Sequence, residues 1–297
     1  MNRNTAISFA IFLLIPCLVS FACSKKDKWE NISTSGNKTS KTDELPKSEI
    51  KSGGFQGNLP NGFQMPNDSV GKKILKEYGA LFVAKGDATP PNSVVFKTNA
   101  EVSNFQAGIA KSSENFGGIS VELQTAALTA LKGAVSEAKQ NNLSITPRGT
   151  DAARRTYNGT VGLWASRVNP GLTYWVGKGR LTQDEANRIK SLEPFEQVPE
   201  IFKLEEQGMF FAKDLSKSIM YSVAPPGTSQ HLSMLALDVS EHDNPKAREI
   251  LARHGWFQTV VSDLPHFTYL GVMENELLSL GLKKTADGGR DFWTPNI

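Results

Sequence analysis

The sequence predicts an α+β fold, a small antiparallel sheet flanked by helices, preceded by an N-terminal extension and a disordered tether. Three observations lead there. Leu123, Ala127, Leu131, Ala134, Val135 and Ala138 recur at three- and four-residue steps, which makes one helical face apolar. Short strand-like runs follow at 218–223, 235–239, 259–262 and 266–271. Between the second and third of these lies another helix, with Asn244 suited to its N-cap, Pro245 to its first turn and Gly255 to its end. No internal repeat is visible.

The elements follow in order along the 297 residues. Arg3 precedes an almost unbroken apolar run from Ala6 to Phe21, and Ala22-Cys23 closes it. That layout is a secretory signal over 1–22, too short and too early for a stable spanning helix. Residues 23–67 are rich in Lys, Ser, Thr, Gly and Asn and read as a tether that cannot bury enough surface to fold. An N-terminal extension over 68–118 starts with a short helix (Val70, Ile74, Leu75, Tyr78). Strand-like runs at 80–84 and 94–97 follow, parted by Pro90-Pro91. The stretch 119–297 has the length of one ordinary domain. In it Asn141-Asn142 ends the first helix, 143–146 alternates like a strand, and 151–163 suits a further helix.

Lys and Arg number 33 against 30 acidic residues, and no basic run sits beside aromatics, so nucleic acid is excluded as a partner. Of the two cysteines, Cys17 lies inside the signal, which leaves Cys23 alone and no disulfide framework. Val19-Ser20-Phe21-Ala22-Cys23 resembles a lipobox, with Ser20 where most carry Leu. Relaxed forms of this kind resemble those of spirochaetal lipoproteins. The resemblance implies that Cys23 is acylated and anchors the chain to a membrane of the cell envelope, facing the periplasm or on the outer membrane. A plain cleaved signal peptide is the alternative.

The chemistry concentrates near four histidines, His231, His242, His254 and His266. Two of them have carboxylates nearby, as His231…Asp238 and Asp263-Leu264-Pro265-His266. Two imidazoles and a carboxylate can hold zinc and leave a fourth position open. Spacing restricts how. Residues seven apart lie roughly 10 Å apart along a helix, and roughly 20 Å apart in a straight strand. His231 and Asp238 therefore meet only if the chain bends between them. Pro225-Pro226-Gly227 suits an irregular approach, and Pro265 makes Leu264 extended ahead of His266. By spacing alone the histidines and carboxylates could equally be unrelated surface or structural residues.

Ser229-Gln230-His231-Leu232-Ser233-Met234-Leu235-Ala236-Leu237-Asp238 resembles the S-x-H-x-x-G-x-A-x-D signature of the zinc D-Ala-D-Ala carboxypeptidases of VanY type. Asp263-Leu264-Pro265-His266-Phe267-Thr268-Tyr269-Leu270-Gly271 is similar to their second signature, E-P-W-H-F-R-Y-V-G, in register. Arg155-Thr156-Tyr157 resembles their R-S-Y segment, and the likeness runs over about residues 119 to 271. It implies a metallopeptidase with Zn2+ held by His231, Asp238 and His266. Asp263 stands in the place of the general base, which takes a proton from water and later protonates the leaving amine. Arg155 or Arg148 would steady the oxyanion or the substrate carboxylate, and Ser229 would contact substrate. Two residues depart from the pattern: Met234 replaces a glycine, and Asp263 is one methylene shorter than glutamate.

The implied activity is release of D-alanine from peptidoglycan stem peptides by a monomer. The alternatives are an endopeptidase with the same site, or a non-catalytic envelope lipoprotein that keeps the fold as a binding module. A serine peptidase is excluded: Ser136-Glu137-Ala138-Lys139 lies in an amphipathic helix, and Ser113-Glu114-Asn115 precedes it, the wrong order. His254 reads as a helix-end residue, His242 as solvated, and Glu205-Glu206 as an exposed helix face. Trp164, Tyr174 and Trp175 read as core rather than as a groove.

Overall fold

The computed structural model describes residues 49–297, all within the unit Asp43–Ile297. The signal at 1–22, Cys23 and the tether up to residue 48 lie outside the described residues.

The chain begins folding earlier than its composition suggests. Residues 54–58 were expected in the tether, yet α1 (Gly54–Asn58) is helical with Phe55 buried. Asn58 ties this helix down by donating to the carbonyls of Lys51, Gly54 and Ser279. In α2 (Ser69–Tyr78) the Asp68 carboxylate accepts the Gly71 amide at 2.7 Å, a typical N-cap, and Ile74, Leu75 and Tyr78 are buried as expected. The run at 80–84 is a correction: Gly79–Val83 forms a 3-10 turn and no strand. The run at 94–97 is another: it joins no ladder, and its one backbone–backbone bond among the described residues runs from Phe96 N–H to the Gly227 carbonyl.

After α3 (Asn99–Gly108) comes a hairpin, β1 (Lys111–Phe116) with β2 (Ile119–Gln124). The expected domain start at 119 falls on the first residue of β2, inside this hairpin, and Leu123 belongs to β2 rather than to the next helix. Helix α4 (Thr125–Gln140) buries Ala127, Leu131, Ala134 and Ala138, the face the periodicity marked. A fully buried leucine such as Leu131 contributes roughly 1.5–3 kcal/mol.

Residues 143–146 do not form a strand. The Thr146 amide goes to the Glu241 carboxylate instead of a ladder, leaving one bridge, Pro147 to Val239. The expected helix at 151–163 starts later, as α5 (Tyr157–Gly177), capped by the Thr156 hydroxyl. Its first residues are unavailable for helix because the Ala152 carbonyl accepts the Asp238 amide and the Ala153 carbonyl faces His231. Two helices without a sequence signature in the reading above complete this layer, α6 (Gln183–Ser191) and α7 (Gln197–Glu206).

Glu205, expected on an exposed face, is buried and accepts from the Ser218 hydroxyl and the Ile219 amide. Those bonds hold a 3-10 turn, Ile219–Tyr221, where a strand was expected.

The central sheet is antiparallel in the order β3 (Ala236–Asp238), β5 (His266–Tyr269), β4 (Trp256–Phe257). Residues 259–262, expected as strand, are not; the pairing ends at Phe257. Helix α8 (Pro245–Arg253) precedes β4, with the Asn244 side chain capping it and Gly255 beyond its end at φ 76°. Helix α8 packs on α4, and Gly133 allows it: a Cβ there would lie 2.8 Å from the His254 ring. A C-terminal hairpin, β6 (Leu282–Asp287) with β7 (Arg290–Pro295), closes the fold.

Candidate metal centre

The approach to His231 is built on Gly227. Its φ is 74°, and a Cβ there would meet the Phe96 carbonyl oxygen at 1.8 Å, so only glycine fits. His231 then sits in a 3-10 turn, Gln230–Ser233, and Met234 ends that turn at φ 60°, ψ 29°. This left-handed residue redirects the chain into β3, at whose end Asp238 pairs in register with His266 of β5. The bend that the spacing required is thus made at Met234.

Three side chains converge. Asp238 Oδ1 lies 3.3 Å from His231 Nε2 and 3.2 Å from His266 Nδ1, and the rings meet edge to face at 4.8 Å. All three ligand atoms fall within 4.8 Å of one another. His231 and His266 are buried, and Asp238 is half-buried.

The hydrogen-bond pattern fixes the tautomers. His231 Nδ1 lies 2.6 Å from the Ala153 carbonyl oxygen, which only accepts, so Nδ1 carries the proton. His231 Nε2 is then a buried lone pair with no hydrogen-bond partner. Gln230 donates through Nε2 to the Tyr78 carbonyl at 2.8 Å, which turns its Oε1 towards His266 Nε2 at 2.9 Å. The Thr268 hydroxyl donates to that same Oε1. His266 therefore carries a proton on Nε2 and turns Nδ1 towards Asp238, 3.2 Å from Oδ1.

Burial pushes the His231 imidazolium below its ordinary value, with Arg155 and His266 acting in the same direction against Asp238. Burial opposes ionisation of Asp238, but His231 and His266 outweigh it and hold its carboxyl well below the usual range. His231 Nε2, buried and without a hydrogen-bond partner, and His266 Nδ1 both face the Asp238 carboxylate, so two imidazole nitrogens and a carboxylate oxygen are grouped as a metal ion requires.

Arg155 Nη2 binds Asp238 Oδ2 at 2.9 Å and lies 3.9 Å from Asp151. Arg155, Asp263 and Ser229 line a cavity of about 210 Å³ together with His231 and His266. The Asp263 carboxylate stands outside the three-ligand group. Arg148 lines an adjoining cavity of about 230 Å³, shared with Asp151, Arg155, Asp238 and Asp263. Among these, Gln230, Asp151 and the carbonyls of Tyr78 and Ala153 were absent from the sequence reading. Gln230 alone had a cue, its place beside His231 inside the motif.

The remaining candidates are placed elsewhere. His254 Nε2 meets Glu137 at 2.9 Å, a structural contact between α8 and α4. His242, expected to be solvated, is half-buried, and Arg248 and Arg290 both donate to its carbonyl. Trp164 is buried with its Nε1–H on Gln197; it, Tyr174 and Trp175 line neither cavity.

No family model matches the chain, and no curated protein matches it. Among solved structures it is similar to the vancomycin resistance D,D-pentapeptidase VanY, in complex with Zn(II). That match is 15% identical, covers 56% of this chain and 82% of that one, and has a TM-score of 0.31. It is also similar to the LD-carboxypeptidase LdcB, at 14% identity, 58% and 70% coverage and a TM-score of 0.32.

Proposed function

We propose that the chain is a zinc-dependent D-Ala-D-Ala carboxypeptidase acting on peptidoglycan stem peptides, exported and held to the envelope by a lipid on Cys23. The observation that carries the enzymatic part is the convergence of His231 Nε2, His266 Nδ1 and Asp238 Oδ1, with His231 Nε2 buried and without a hydrogen-bond partner. The motif resemblance supplies the substrate class, and the anchor rests on the sequence around Cys23.

His231, Asp238 and His266 would hold the zinc ion, which would supply Lewis acidity for peptide hydrolysis near neutral pH. The protein's own groups do the rest. Ala153 and Gln230 orient the two rings and turn their ligand nitrogens towards Asp238. Asp263 lines the same cavity, and in this reading its carboxylate takes a proton and returns it to the leaving amine. Arg155 is engaged with Asp238 and steadies that carboxylate. Ser229 lines the cavity where substrate would lie.

Metal analysis of the purified full-length chain, run beside a D-alanine release assay, tests the reading. One zinc per chain and release that a chelator abolishes and zinc restores are expected. Full occupancy without release would leave a binding module instead.

One observation favours a second reading, cleavage inside a cross-linked peptide. The two cavities share Asp151, Arg155 and Asp263 in their walls, and both border the ligands, His231 and His266 in one and Asp238 in the other. Mass spectrometry of products from a cross-linked dimer separates the two activities.

A further inference from the structure

The cavity beside the ligands has two arginines in its wall, and they differ in one respect. Arg155 is neutralised by Asp238 at 2.9 Å. Arg167 has no ion pair among the described residues. Its only hydrogen bonds there go from Nη1 to the Ser166 hydroxyl and carbonyl, and its Nε is buried without a partner. A buried N–H without an acceptor is costly, and a guanidinium fork matches a carboxylate in particular.

Position narrows the ligand. Arg155, just ahead of α5, sits on Asp238. Thr160, in the first turn of α5, accepts the Gly227 amide at 3.2 Å, next to the segment that bears His231. Arg167 lies seven residues further on, roughly 10 Å along the helix axis from Thr160, and both line the cavity. That reach exceeds the distance from a cut bond to the carboxylate of the residue it releases. It matches an extended peptide whose acidic group stands two or three residues before the cut, at about 3.3 Å per residue.

We infer that Arg167 is a specificity-determining residue that binds an internal carboxylate of an acidic peptide substrate. This rests on the peptidase reading of the adjoining site. Leu163 and Tyr221 flank the arginine's cavity with apolar surface, and Ser222 lines it with a hydroxyl.

The test uses the full-length, zinc-loaded chain carrying Asp263→Ala to prevent turnover, and reads binding by titration calorimetry. The probes are the pentapeptide L-Ala-γ-D-Glu-L-Lys-D-Ala-D-Ala and its form with the glutamate α-carboxylate amidated. The free acid should bind about tenfold more tightly than the amide, the size of one charge-assisted bond. Adding Arg167→Gln should erase that difference, and Arg167→Lys should keep part of it, since a lysine retains the charge without the fork. Equal binding of both peptides, unchanged preference in Arg167→Gln, or no saturable binding of either peptide overturns the inference. The same titration without zinc separates the two claims. Arg167-dependent preference in a chain that never binds metal would sink the enzyme and leave the carboxylate site standing.

Discussion

Gln230 Oε1 accepts the Nε2–H of His266 at 2.9 Å, while the same amide donates to the Tyr78 carbonyl at 2.8 Å. The second bond decides the first. A flipped amide would set two oxygens against each other at Tyr78, so the ring must carry a proton on Nε2 and turn Nδ1 to Asp238. The N-terminal helix α2, which ends at Tyr78, therefore helps determine the protonation of a residue at the centre of the sheet.

This relation makes Gln230 a positioning residue with a measurable role. Gln230→Ala leaves the His266 Nε2–H without its acceptor and frees the ring to rotate. Zinc affinity should fall about ten- to hundredfold, as for other residues that orient metal-bound histidines. Competition against a chelating dye measures it, and an unchanged affinity would show that the ring is held by packing alone.

Ligand and proton-relay residues should separate cleanly. His231→Ala or His266→Ala removes one of three donors and should abolish stoichiometric zinc together with D-alanine release. Asp263→Ala should keep zinc and lower kcat about a hundredfold or more. If Asp263→Ala emptied the site, its carboxylate would be a ligand rather than a relay.

Met234 sets two effects in opposition. Its φ of 60° costs on the order of 1 kcal/mol in a residue with a Cβ, which Met234→Gly would relieve. The side chain is fully buried, however, and removing one of that size costs about 2–5 kcal/mol. Burial wins, so urea denaturation should show Met234→Gly destabilised by about 1–3 kcal/mol. A more stable variant would mean that backbone strain dominates.

Glu205 should leave a signature in the pH dependence of stability. Burial raises its carboxyl above the ordinary value of 4.5, against the hydrogen bonds from Ser218 and Ile219. The folded chain therefore holds this proton more tightly than the unfolded one. The resulting stabilisation is complete below 4.5 and is lost as pH rises through the raised folded value. Against Glu205→Gln, which cannot ionise, the wild type should lose stability across that window on going to neutral pH. A difference independent of pH would mean that Glu205 keeps its ordinary value in the fold.

Much of the architecture was readable from local pattern. The periodic face of α4, the Asn244 cap of α8 and the short helix α2 each follow from side chains within one or two turns. The departures share a cause. Residues 143–146 and 151–155 look like strand and helix by composition, but Glu241, Asp238 and His231 claim their backbone groups from far along the chain. Glu205 looks exposed because its partners, Ser218 and Ile219, become neighbours only after the chain has looped back. Arg167 has no sequence cue at all, since its lack of an ionic partner is a property of the cavity and not of α5.

By itself the sequence determined which residue types were available for the site, and that the chain had to bend between His231 and Asp238. The tertiary structure decided where that bend falls, which nitrogen of each ring holds a proton, and which arginine is left without a carboxylate. The physical reason is range. Periodicity and caps act over a few residues, whereas lone-pair direction and charge pairing depend on groups such as Tyr78 and Gln230 that only folding brings together.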